Sequence, residues 1–390
     1  MNSSTVLKTN PLRELGARGQ SVWLDYSRRD LIANGQLRRW IEDDGLKGMT
    51  SNPAIFEKAI TGSESYDEDI RAMALEGQNA NTIYETLSQA EIRNAADEFR
   101  SVYDETNGLD GYVSLEVNPH LAHDTEGTVA EARRLWRALD RPNVFIKVPA
   151  TLEGLPAIRQ LISEGINVNI TLLFGLPRYR QVADAWLGGL EARAHQGLPL
   201  TQVASVASFF LSRIDVLIDP LLEKLIAKGS KQANLAQKLR GEAAIASAVA
   251  AYQIYKEIVR SERFKRLAER GARVQRLLWA STSTKNPDYP DLKYVEPLIG
   301  PNTVNTLTVE TFDAYRDHGS PQTRLEQNVA HAAWVLESLP ELGINIDGVT
   351  QQLEDEGVAK FSKAFDGLIH AVTGKSAQRR KLSEFVQTTG

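Results

Sequence analysis

Short apolar runs recur along this chain, separated by longer stretches in which apolar residues return every three or four positions. Runs rich in β-branched residues and bounded by Gly, Pro, Asn or Asp are typical of strands. Eight such runs are present, at Val22–Tyr26, Leu46–Thr50, Tyr112–Val117, Val144–Pro149, Asn167–Phe174, Val203–Leu211, Arg276–Ser281 and Thr303–Leu307. The pattern therefore predicts eight strands.

The stretches between these runs have the periodicity of amphipathic helices. The clearest are Leu121–Leu139, Leu155–Ser163 and Pro177–His195, the last with proline at its first helical position. Two connections are long. We expect several helices in Ala54–Asn107 and a long helix pair in Ser212–Gly271.

Two further helices are predicted after the eighth strand, over Pro321–Leu336 and Val358–Val372. One apolar stripe runs along the second of them, formed by Val358, Phe361, Phe365, Leu368, Ile369 and Val372. Packing of this stripe against the rest of the fold is the simpler interpretation. A lid over the mouth of a site is the alternative.

Strands that alternate with helices predict a parallel sheet. Eight such units close into a (β/α)8 TIM barrel, and 390 residues suit a barrel of α/β class with additional helices. A doubly wound open sheet is the alternative, but no Gly-x-Gly-x-x-Gly turn follows the first strand and no Walker-type loop is present. We expect a single domain over residues 1–390, with the barrel core at about 20–320 and C-terminal helices at about 321–373.

The composition excludes several kinds of site and disfavours several kinds of partner. A net charge of −5 gives no electrostatic reason to expect nucleic acid or an anionic membrane as a partner. The absence of cysteine excludes disulfides, thiolate nucleophiles and Cys-ligated metals. Met1–Leu15 holds no apolar core of signal-peptide length, and Val203–Leu211 is too short to span a bilayer. We expect a soluble, cytoplasmic protein, either a monomer or a homodimer.

One charged residue interrupts the apolar pattern of the fourth strand. Lys147 lies in the segment Val144–Thr151, which reads Val-Phe-Ile-Lys-Val-Pro-Ala-Thr. An unpaired buried ammonium group is unfavourable and tends to lose its proton, and a neutral lysine amine forms Schiff bases with carbonyl substrates. The alternative is that Lys147 ends an edge strand and its ammonium group reaches water.

Polar residues also lie at the ends of neighbouring strands. In a closed barrel, positions i and i+2 of a strand share one face, and catalytic groups come from the C-terminal strand ends. The polar residues at strands one to six are Asp25, Asn52, Glu116, Lys147, Asn169 with Thr171, and Ser208. A purely structural barrel core prefers Val, Ile and Leu at such positions, so the set favours a convergent polar site.

Each of these residues, taken alone, has a plainer explanation. Asp25 could cap a helix, Asn52 could belong to an Asn-Pro turn, and Glu116 could be a surface residue. Hydrogen-bonded or small barrel filling would explain Asn169, Thr171 and Ser208.

Two basic residues follow later strands. Arg213 and Lys285 could bind phosphate, which barrels often hold near their last strands. Pairing of Arg213 with Asp215, and a solvated Lys285, are the alternatives. His120 and His123 lack an evident third ligand, so we expect no zinc site.

This set of residues supports a defined chemistry. A lysine attacks a ketone, while a carboxylate and a water move protons during imine formation and hydrolysis. A second carboxylate removes a hydroxyl proton, so that a carbon–carbon bond breaks and the iminium becomes an enamine. Asparagine side chains can hold the hydroxyl groups. No step needs a metal or another cofactor.

The chain resembles the transaldolase family, in its longer bacterial form, from about Val22 to the C-terminal helix. The segments that resemble the family signatures, in order, are Thr50–Pro53, Ser114–Val117, Ile146–Thr151 and Asn167–Leu172. This resemblance implies a (β/α)8 barrel that carries the Schiff-base lysine on its fourth strand, here Lys147.

The resemblance also implies a role for each polar residue. Asp25 resembles the base that acts on the C4 hydroxyl of the donor. Glu116 resembles the proton shuttle, which works through a water that Thr171 helps to place. Asn52 and Asn169 resemble the groups that hold the dihydroxyacetone unit.

Ser208 and Arg213 resemble phosphate ligands, and Lys285 stands where the family has a second arginine. A lysine there would bind phosphate as a point charge. The related fructose-6-phosphate aldolases carry glutamine at the position of Glu116 and tyrosine at the position of Phe210. Both positions of this chain therefore resemble transaldolase.

The implied reaction is reversible transfer of a dihydroxyacetone unit from sedoheptulose 7-phosphate to glyceraldehyde 3-phosphate, giving erythrose 4-phosphate and fructose 6-phosphate. It belongs to the non-oxidative pentose phosphate pathway. A non-catalytic sugar-phosphate sensor is disfavoured because neither the lysine nor the acids are missing. A deoxyribose-phosphate aldolase typically uses a second lysine near the site, and no second strand lysine lies on a matching face.

Overall fold

The computed structural model describes residues 10–229 and 231–388, with side chains described as far as residue 376. Of the segment Met1–Leu15, residues 1–9 lie outside the described part of the chain. Eight parallel strands pair in sequence order, and the last pairs with the first to close a barrel. The predicted (β/α)8 TIM barrel is confirmed.

The strand bounds agree closely with the sequence pattern. The strands are β1 (Gln20–Asp25), β2 (Gly48–Thr50), β3 (Tyr112–Glu116), β4 (Val144–Pro149), β5 (Val168–Leu173), β6 (Ser205–Phe210), β7 (Arg276–Ala280) and β8 (Thr303–Leu307). β4 and β8 match their predicted bounds. The other strands are shorter or displaced by one or two residues, because the apolar runs extend beyond the hydrogen-bonded ladder.

Helices connect the strands and surround the barrel. The α-helices are α1 (Pro11–Ala17), α2 (Arg29–Ala33), α3 (Gln36–Asp44), α4 (Pro53–Thr61), α5 (Asp67–Leu75), α6 (Ala80–Glu98), α7 (Arg100–Glu105), α8 (Thr125–Leu139), α9 (Gly154–Glu164), α10 (Leu176–His195), α11 (Ser212–Ala227), α12 (Ala233–Leu239), α13 (Ala243–Arg260), α14 (Glu262–Ala268), α15 (Val309–His318), α16 (Val329–Ser338) and α17 (Ile346–Thr388). Short 3₁₀ turns lie at Pro119–Leu121, Glu296–Leu298 and Pro340–Leu342.

Local capping explains where the first long helices begin. The helix predicted from Leu121 begins only at Thr125, because the side chain of Asp124 accepts a hydrogen bond from the backbone N–H of Gly127 at 2.9 Å. Pro177 is the second residue of α10 and not its first, since the helix starts one residue earlier.

The predicted helix pair over Ser212–Gly271 is wrong. This connection folds as the four helices α11 to α14. Gly229 and Gly241 adopt left-handed backbone conformations, with φ of +58° and +77°, that end the first two helices. Ser261 separates the last two, where its side chain caps α14 by accepting from the backbone N–H of Phe264 at 3.2 Å. The helix predicted from Pro321 begins later, at Val329.

The N-terminal end of the barrel is filled and closed. Trp23, Tyr112 and Phe145 form an aromatic layer, in which the Tyr112 and Phe145 rings stack at 4.3 Å. Nearer that end, a buried ion pair joins Asp110 to Arg276 at 2.8 Å. Only the C-terminal end is left to carry a site, as is usual for this fold.

Helix α17 crosses the C-terminal mouth of the barrel. Leu368 and Val372 are buried, and the other four members of the predicted stripe are partly buried against the core. A buried ion pair at 3.0 Å joins Arg178 of α10 to Glu354 and holds the first part of the helix. The stripe therefore packs against the barrel, and the same helix also covers the mouth.

Candidate active site

A cavity of ≈ 220 Å³ lies at the C-terminal mouth of the barrel. Most of the predicted site residues line it together: Asp25, Asn52, Lys147, Thr171, Ser208, Phe210, Arg213 and Lys285. Glu116 and Asn169 do not line this cavity. They lie beside Lys147 on the neighbouring strands, so all of the predicted residues gather at one end of the barrel.

Lys147 is buried, with 4% of its surface exposed. Its Cα pairs with that of Glu116 on β3 and that of Asn169 on β5, so three polar side chains point inward at one level of the barrel. The ammonium nitrogen lies 3.2 Å from Oε2 of Glu116 and donates to the backbone carbonyl of Ser51 at 3.0 Å. The interpretation of Lys147 as an edge residue that reaches water is wrong.

Glu116 is a buried carboxylate next to a single cation. Burial raises its pKa above the usual range, while Lys147 opposes this increase and the like charge of Asp25 adds to it. Neither carboxylate oxygen has a hydrogen-bond partner among the described residues, although Oε2 has its ion-pair contact with Lys147. A carboxyl group whose pKa is raised in this way is a candidate general acid or base.

Asp25 ends β1 across the cavity from β4. Its Oδ1 accepts a hydrogen bond from the Thr50 hydroxyl at 2.8 Å, and that hydroxyl lies 2.8 Å from the hydroxyl of Thr306. Burial raises the pKa of Asp25, partly offset by Lys147 and by the Thr50 hydrogen bond. Asp25 is not a helix cap, because the residue preceding α2 is Arg28.

A chain of hydrogen bonds crosses the barrel below Lys147. The Ser208 hydroxyl donates to Oδ1 of Asn169 at 2.6 Å, and Nδ2 of Asn169 donates to the Ser114 hydroxyl at 3.1 Å. These bonds fix the orientation of the Asn169 amide. Ser208 also lines the cavity, whereas Asn169 supports it from below.

Asn52 has both of the predicted properties. Its side chain caps α4 by accepting from the backbone N–H of Ile55 at 3.1 Å, so the local-turn interpretation is correct. It also lines the cavity, where its amide N–H groups are turned away from this capping bond.

The β5 strand is irregular beside Thr171. The register with β6 shifts between Ile170 and Leu173, and Leu172 takes a φ of +54°. Positive φ is unusual for a bulky residue and is found at bulges near active sites. The buried hydroxyl of Thr171 faces the cavity and has no hydrogen-bond partner among the described residues.

Two cations line the outer part of the cavity. Arg213 is exposed at the start of α11, and Lys285 lies in the loop after β7, where it donates to the Ser283 hydroxyl. Partial burial, and next the charge of Arg213, lower the pKa of Lys285. Such mutual repulsion is expected where cations gather to receive an anion.

Asp215 has other partners than Arg213. It is buried and accepts hydrogen bonds from the Tyr294 hydroxyl and from the backbone N–H of Ala244, both at 2.8 Å. The predicted alternative, an Arg213–Asp215 pair, is absent from the described ion pairs. The guanidinium group of Arg213 is therefore not paired with Asp215, and Arg213 lines the cavity.

Sequence reasoning missed several residues of the cavity wall. Thr50 and Thr306 lie at the ends of β2 and β8, where the same rule of inward polar residues would have found them. Lys360 and Phe361 come from α17, and the Phe361 ring lies 6.0 Å from the ammonium nitrogen of Lys147. The sequence pattern included Phe361 in an apolar stripe, with a lid as one interpretation, but nothing local indicated that Lys360 joins the cavity wall.

The described residues contain no group of three or more His, Cys, Asp or Glu side chains that could hold a metal ion. His120 and His123 instead contact Asp366 and Glu153, at 2.8 and 3.1 Å. Within the same residues, no helix has the length and apolar character needed to cross a membrane.

The arrangement combines an amine with two carboxyl groups of raised pKa and an outer ring of cations. A buried amine can attack a carbonyl, and carboxyl groups whose pKa lies above the usual range can act as acid and base. The cations can neutralise a phosphate. The site is thus suited to Schiff-base chemistry on a phosphorylated sugar.

Comparison with known proteins agrees with this geometry. Residues 22–372 match the family model described as Transaldolase/Fructose-6-phosphate aldolase. A protein named transaldolase from Trichodesmium erythraeum is 50% identical over 371 residues, covering 94% of this chain and 98% of the relative. One named transaldolase 2 from Nostoc sp. is 49% identical, covering 94% and 97%, and a transaldolase from Acidothermus cellulolyticus is 46% identical, covering 96% and 99%. The chain belongs to the transaldolase/fructose-6-phosphate aldolase family.

Proposed function

We propose that this chain is a transaldolase. It transfers a dihydroxyacetone unit from sedoheptulose 7-phosphate to glyceraldehyde 3-phosphate and yields erythrose 4-phosphate and fructose 6-phosphate, reversibly. The observation that carries this proposal is the buried amine of Lys147, 3.2 Å from Glu116 at the mouth of a closed barrel. As an enzyme of the non-oxidative pentose phosphate pathway, it would act in the cytoplasm on soluble sugar phosphates, as a single-domain monomer or homodimer.

In the proposed first stage, the Lys147 amine attacks the C2 carbonyl of the donor to form a carbinolamine. Glu116 delivers a proton to the departing hydroxyl through a water, and loss of that hydroxyl as water leaves an iminium. The Thr171 hydroxyl and the Glu116 carboxylate oxygens support this role, because none of them has a hydrogen-bond partner among the described residues and each is therefore able to bind a water.

In the second stage, Asp25 removes the proton from the C4 hydroxyl. The C3–C4 bond breaks, its electrons move into the iminium to give an enamine, and the aldehyde product leaves. The raised pKa of Asp25 supports its role as a base, because the protonated form it must then adopt is stabilised by burial. Asn52 and Asn169 would hold the hydroxyl groups of the three-carbon unit that stays behind.

In the third stage, an aldehyde acceptor enters, the enamine attacks it, and the same steps run in reverse. Ser208, Arg213 and Lys285 would bind the phosphate of the donor or of the acceptor. The positions of Arg213 and Lys285 in the outer cavity wall support this assignment, since the phosphate lies at the far end of the sugar from the reacting carbonyl.

Fructose-6-phosphate aldolase activity is the alternative within the family. It requires the enamine to be protonated and released as free dihydroxyacetone. Phe210 lines the cavity and offers no acidic hydrogen for that step. Phe210 and the carboxylate at Glu116 therefore favour transfer over simple cleavage.

Borohydride trapping tests the proposal. The protein is reduced in the presence of fructose 6-phosphate, with and without erythrose 4-phosphate, and its peptides are examined by mass spectrometry. We expect a reduced dihydroxyacetone adduct on Lys147 that erythrose 4-phosphate suppresses. An adduct unaffected by the acceptor would indicate another aldolase activity, and no adduct on folded protein would favour the non-catalytic alternative.

A further inference from the structure

One face of α17 forms part of the cavity wall. Leu353, Gly357 and Phe361 follow each other at four-residue intervals on this face, and Lys360 lies beside them. The contact between the Phe361 ring and Lys147 places this face directly over the reacting amine. Lys360 is therefore a cation of the cavity, although it belongs to a helix outside the barrel.

The α17 helix is held close to the barrel at this point. A Cβ on Gly357 would lie 3.0 Å from a methyl carbon of Leu172, the residue of positive φ in β5. The buried pair of Arg178 and Glu354 anchors the preceding turn at 3.0 Å. The position of Lys360 relative to the mouth is thus set by the packing of the helical turns that precede it.

In the structure, the ammonium group of Lys360 forms an ion pair with a carboxylate. Oε2 of Glu356 lies 3.0 Å from Nζ of Lys360, one helical turn away, while Oε1 accepts from Gln352 at 2.8 Å. Hydrogen bonds from Gln352 and Lys360, and the nearby charge of Arg213, lower the pKa of Glu356. The Glu356 carboxylate therefore contacts Lys360 directly and is also near enough to the charge of Arg213 to be influenced by it.

An exposed ion pair within one helix contributes little to stability and is easily exchanged. A phosphate carries more negative charge than a carboxylate and presents three acceptor oxygens. Besides Lys147, three basic residues line this cavity: Arg213, Lys285 and Lys360. A phosphate bound among them would compete with Glu356 for Lys360.

We propose that Lys360 binds the phosphate of the substrate, and that Glu356 holds its ammonium group until the phosphate displaces it. This inference rests on the proposed transaldolase function and adds a ligand from the C-terminal helix to the barrel residues named above. It predicts opposite effects for the two members of one ion pair.

The test compares a phosphorylated with an unphosphorylated acceptor. With sedoheptulose 7-phosphate as donor, kcat/KM is measured from erythrose 4-phosphate release for glyceraldehyde 3-phosphate and for glyceraldehyde as acceptors. We expect Lys360→Ala to lower the value for glyceraldehyde 3-phosphate about tenfold, as for loss of one charged hydrogen bond, with the value for glyceraldehyde unchanged. Lys360→Arg should restore most of the loss, and Glu356→Gln should raise kcat/KM for the phosphorylated acceptor.

Lys363→Ala is the matched control, because Lys363 is an exposed lysine of the same helix that does not line the cavity. We expect no change from it. Equal losses with both acceptors in Lys360→Ala would mean that Lys360 only positions the helix, and would overturn the inference, as would an unchanged kcat/KM for glyceraldehyde 3-phosphate. If the wild-type protein transfers to neither acceptor, the proposed transaldolase function itself is overturned. The assay therefore distinguishes failure of that function from failure of the Lys360 inference.

Discussion

The chemistry of single residues in this site depends on burial more than on unusual geometry. Lys147, Glu116 and Asp25 are ordinary side chains with ordinary contact distances. Their distinctive property is that one amine and two carboxyl groups lie close together, with Lys147 and Glu116 buried and Asp25 partly buried. Under those conditions proton positions become sensitive to every neighbour.

Lys147→Ala should abolish transfer while the protein still folds. We expect kcat to fall by a factor on the order of 10⁴ or more, because the other lysines that line the cavity, Lys285 and Lys360, are exposed and do not share the buried position of Lys147. The raised pKa of Glu116 lets this carboxyl become neutral once its cation is removed, which limits the loss of stability. Coupled assay of erythrose 4-phosphate formation, with circular dichroism as the folding control, checks both statements. Substantial turnover by the folded variant would exclude the Schiff-base mechanism.

Phe210→Tyr should increase cleavage of the donor without an acceptor. A phenol at this position adds an acid near the enamine and opens a route to free dihydroxyacetone, by roughly tenfold or more if general acid catalysis operates. The measurement is dihydroxyacetone release from fructose 6-phosphate alone, with transfer to erythrose 4-phosphate as the control for an intact site. Unchanged release in a variant that still transfers would remove Phe210 from the explanation of specificity.

Most of the candidate site could be predicted from residues because alternation along a strand is a local rule. Glu116 and Lys147 interrupt apolar runs, and Asn169 and Thr171 are two positions apart on one face. The rule does not reveal contact partners. Nothing local to Asp215 indicates that its bonds go to Tyr294 and Ala244 instead of to Arg213.

At the scale of elements, α11 is joined to the loop after β7 by two buried carboxylates. Asp215 accepts from Tyr294, and Asp219, one turn further, accepts from Tyr289 at 2.7 Å. Arg213 begins this helix and Lys285 belongs to this loop. The two carboxylates therefore help to set the separation of the two cations.

This junction should make stability depend on pH. Burial, and next the charge of Asp219, raise the pKa of Asp215 from 3.8 to about 6. Between these values the folded state binds more protons than the unfolded state, so this group's contribution to stability falls as pH rises through the window. The loss is complete above about pH 6 and amounts to ~3 kcal/mol.

The measurement is urea unfolding of wild type and Asp215→Asn at several values from about pH 4 to pH 7. Asparagine can accept only one of the two hydrogen bonds that Asp215 accepts, so the variant is less stable at every pH. The informative quantity is therefore how the difference in unfolding free energy between wild type and variant changes with pH. We expect the stability of wild type relative to the variant to decrease across the window. Parallel curves would show that Asp215 does not titrate there.

The helical elements illustrate where sequence patterns stop being informative. Periodicity identified α9 almost to the residue, since its apolar face packs on the barrel next to it. It did not resolve α11 to α14, whose boundaries depend on glycines of positive φ and on the Ser261 cap between similar apolar stretches. It also left the role of α17 open, because packing and covering the mouth require the same apolar stripe.

On the scale of the whole molecule, a buried ion pair that stabilises the fold and the cavity that carries the reactive residues lie at opposite ends of the barrel. The N-terminal end contains the buried pair of Asp110 and Arg276. Ser21 and Trp23 also donate hydrogen bonds to Asp110, and Arg276 donates to the Ser21 hydroxyl. The C-terminal end contains the cavity. The aromatic layer of Trp23, Tyr112 and Phe145 lies between them.

Asp110→Ala should therefore lower stability without changing the chemistry. Removal of one partner leaves the Arg276 guanidinium group buried and unpaired, a loss of about 3–5 kcal/mol. Urea unfolding should record this loss, while kcat/KM under folding conditions stays within about twofold. Asp104→Ala is the control, since its ion pair with Arg100 is exposed and contributes at most ~0.5 kcal/mol. A large fall in kcat/KM would indicate coupling between the two ends.

The closed barrel could be predicted because eight alternating strand–helix units leave few other arrangements, even with two long connections. The site within it followed from the same prediction, since the C-terminal strand ends meet at one rim. The remaining wall of the cavity did not follow, because it is contributed by Lys360 and Phe361, more than 200 residues from Lys147.

The shared level of Glu116, Lys147 and Asn169 has a consequence for how this site can change. Backbone hydrogen bonds hold their three strands about 4.8 Å apart, so the spacing of the three groups belongs to the barrel and not to the side chains. A substitution at any one of these positions alters reactivity but leaves the Cα–Cα distances between the three positions intact. New reactions at this rim can therefore arise through single exchanges of side chain, with no remodelling of the backbone that carries them.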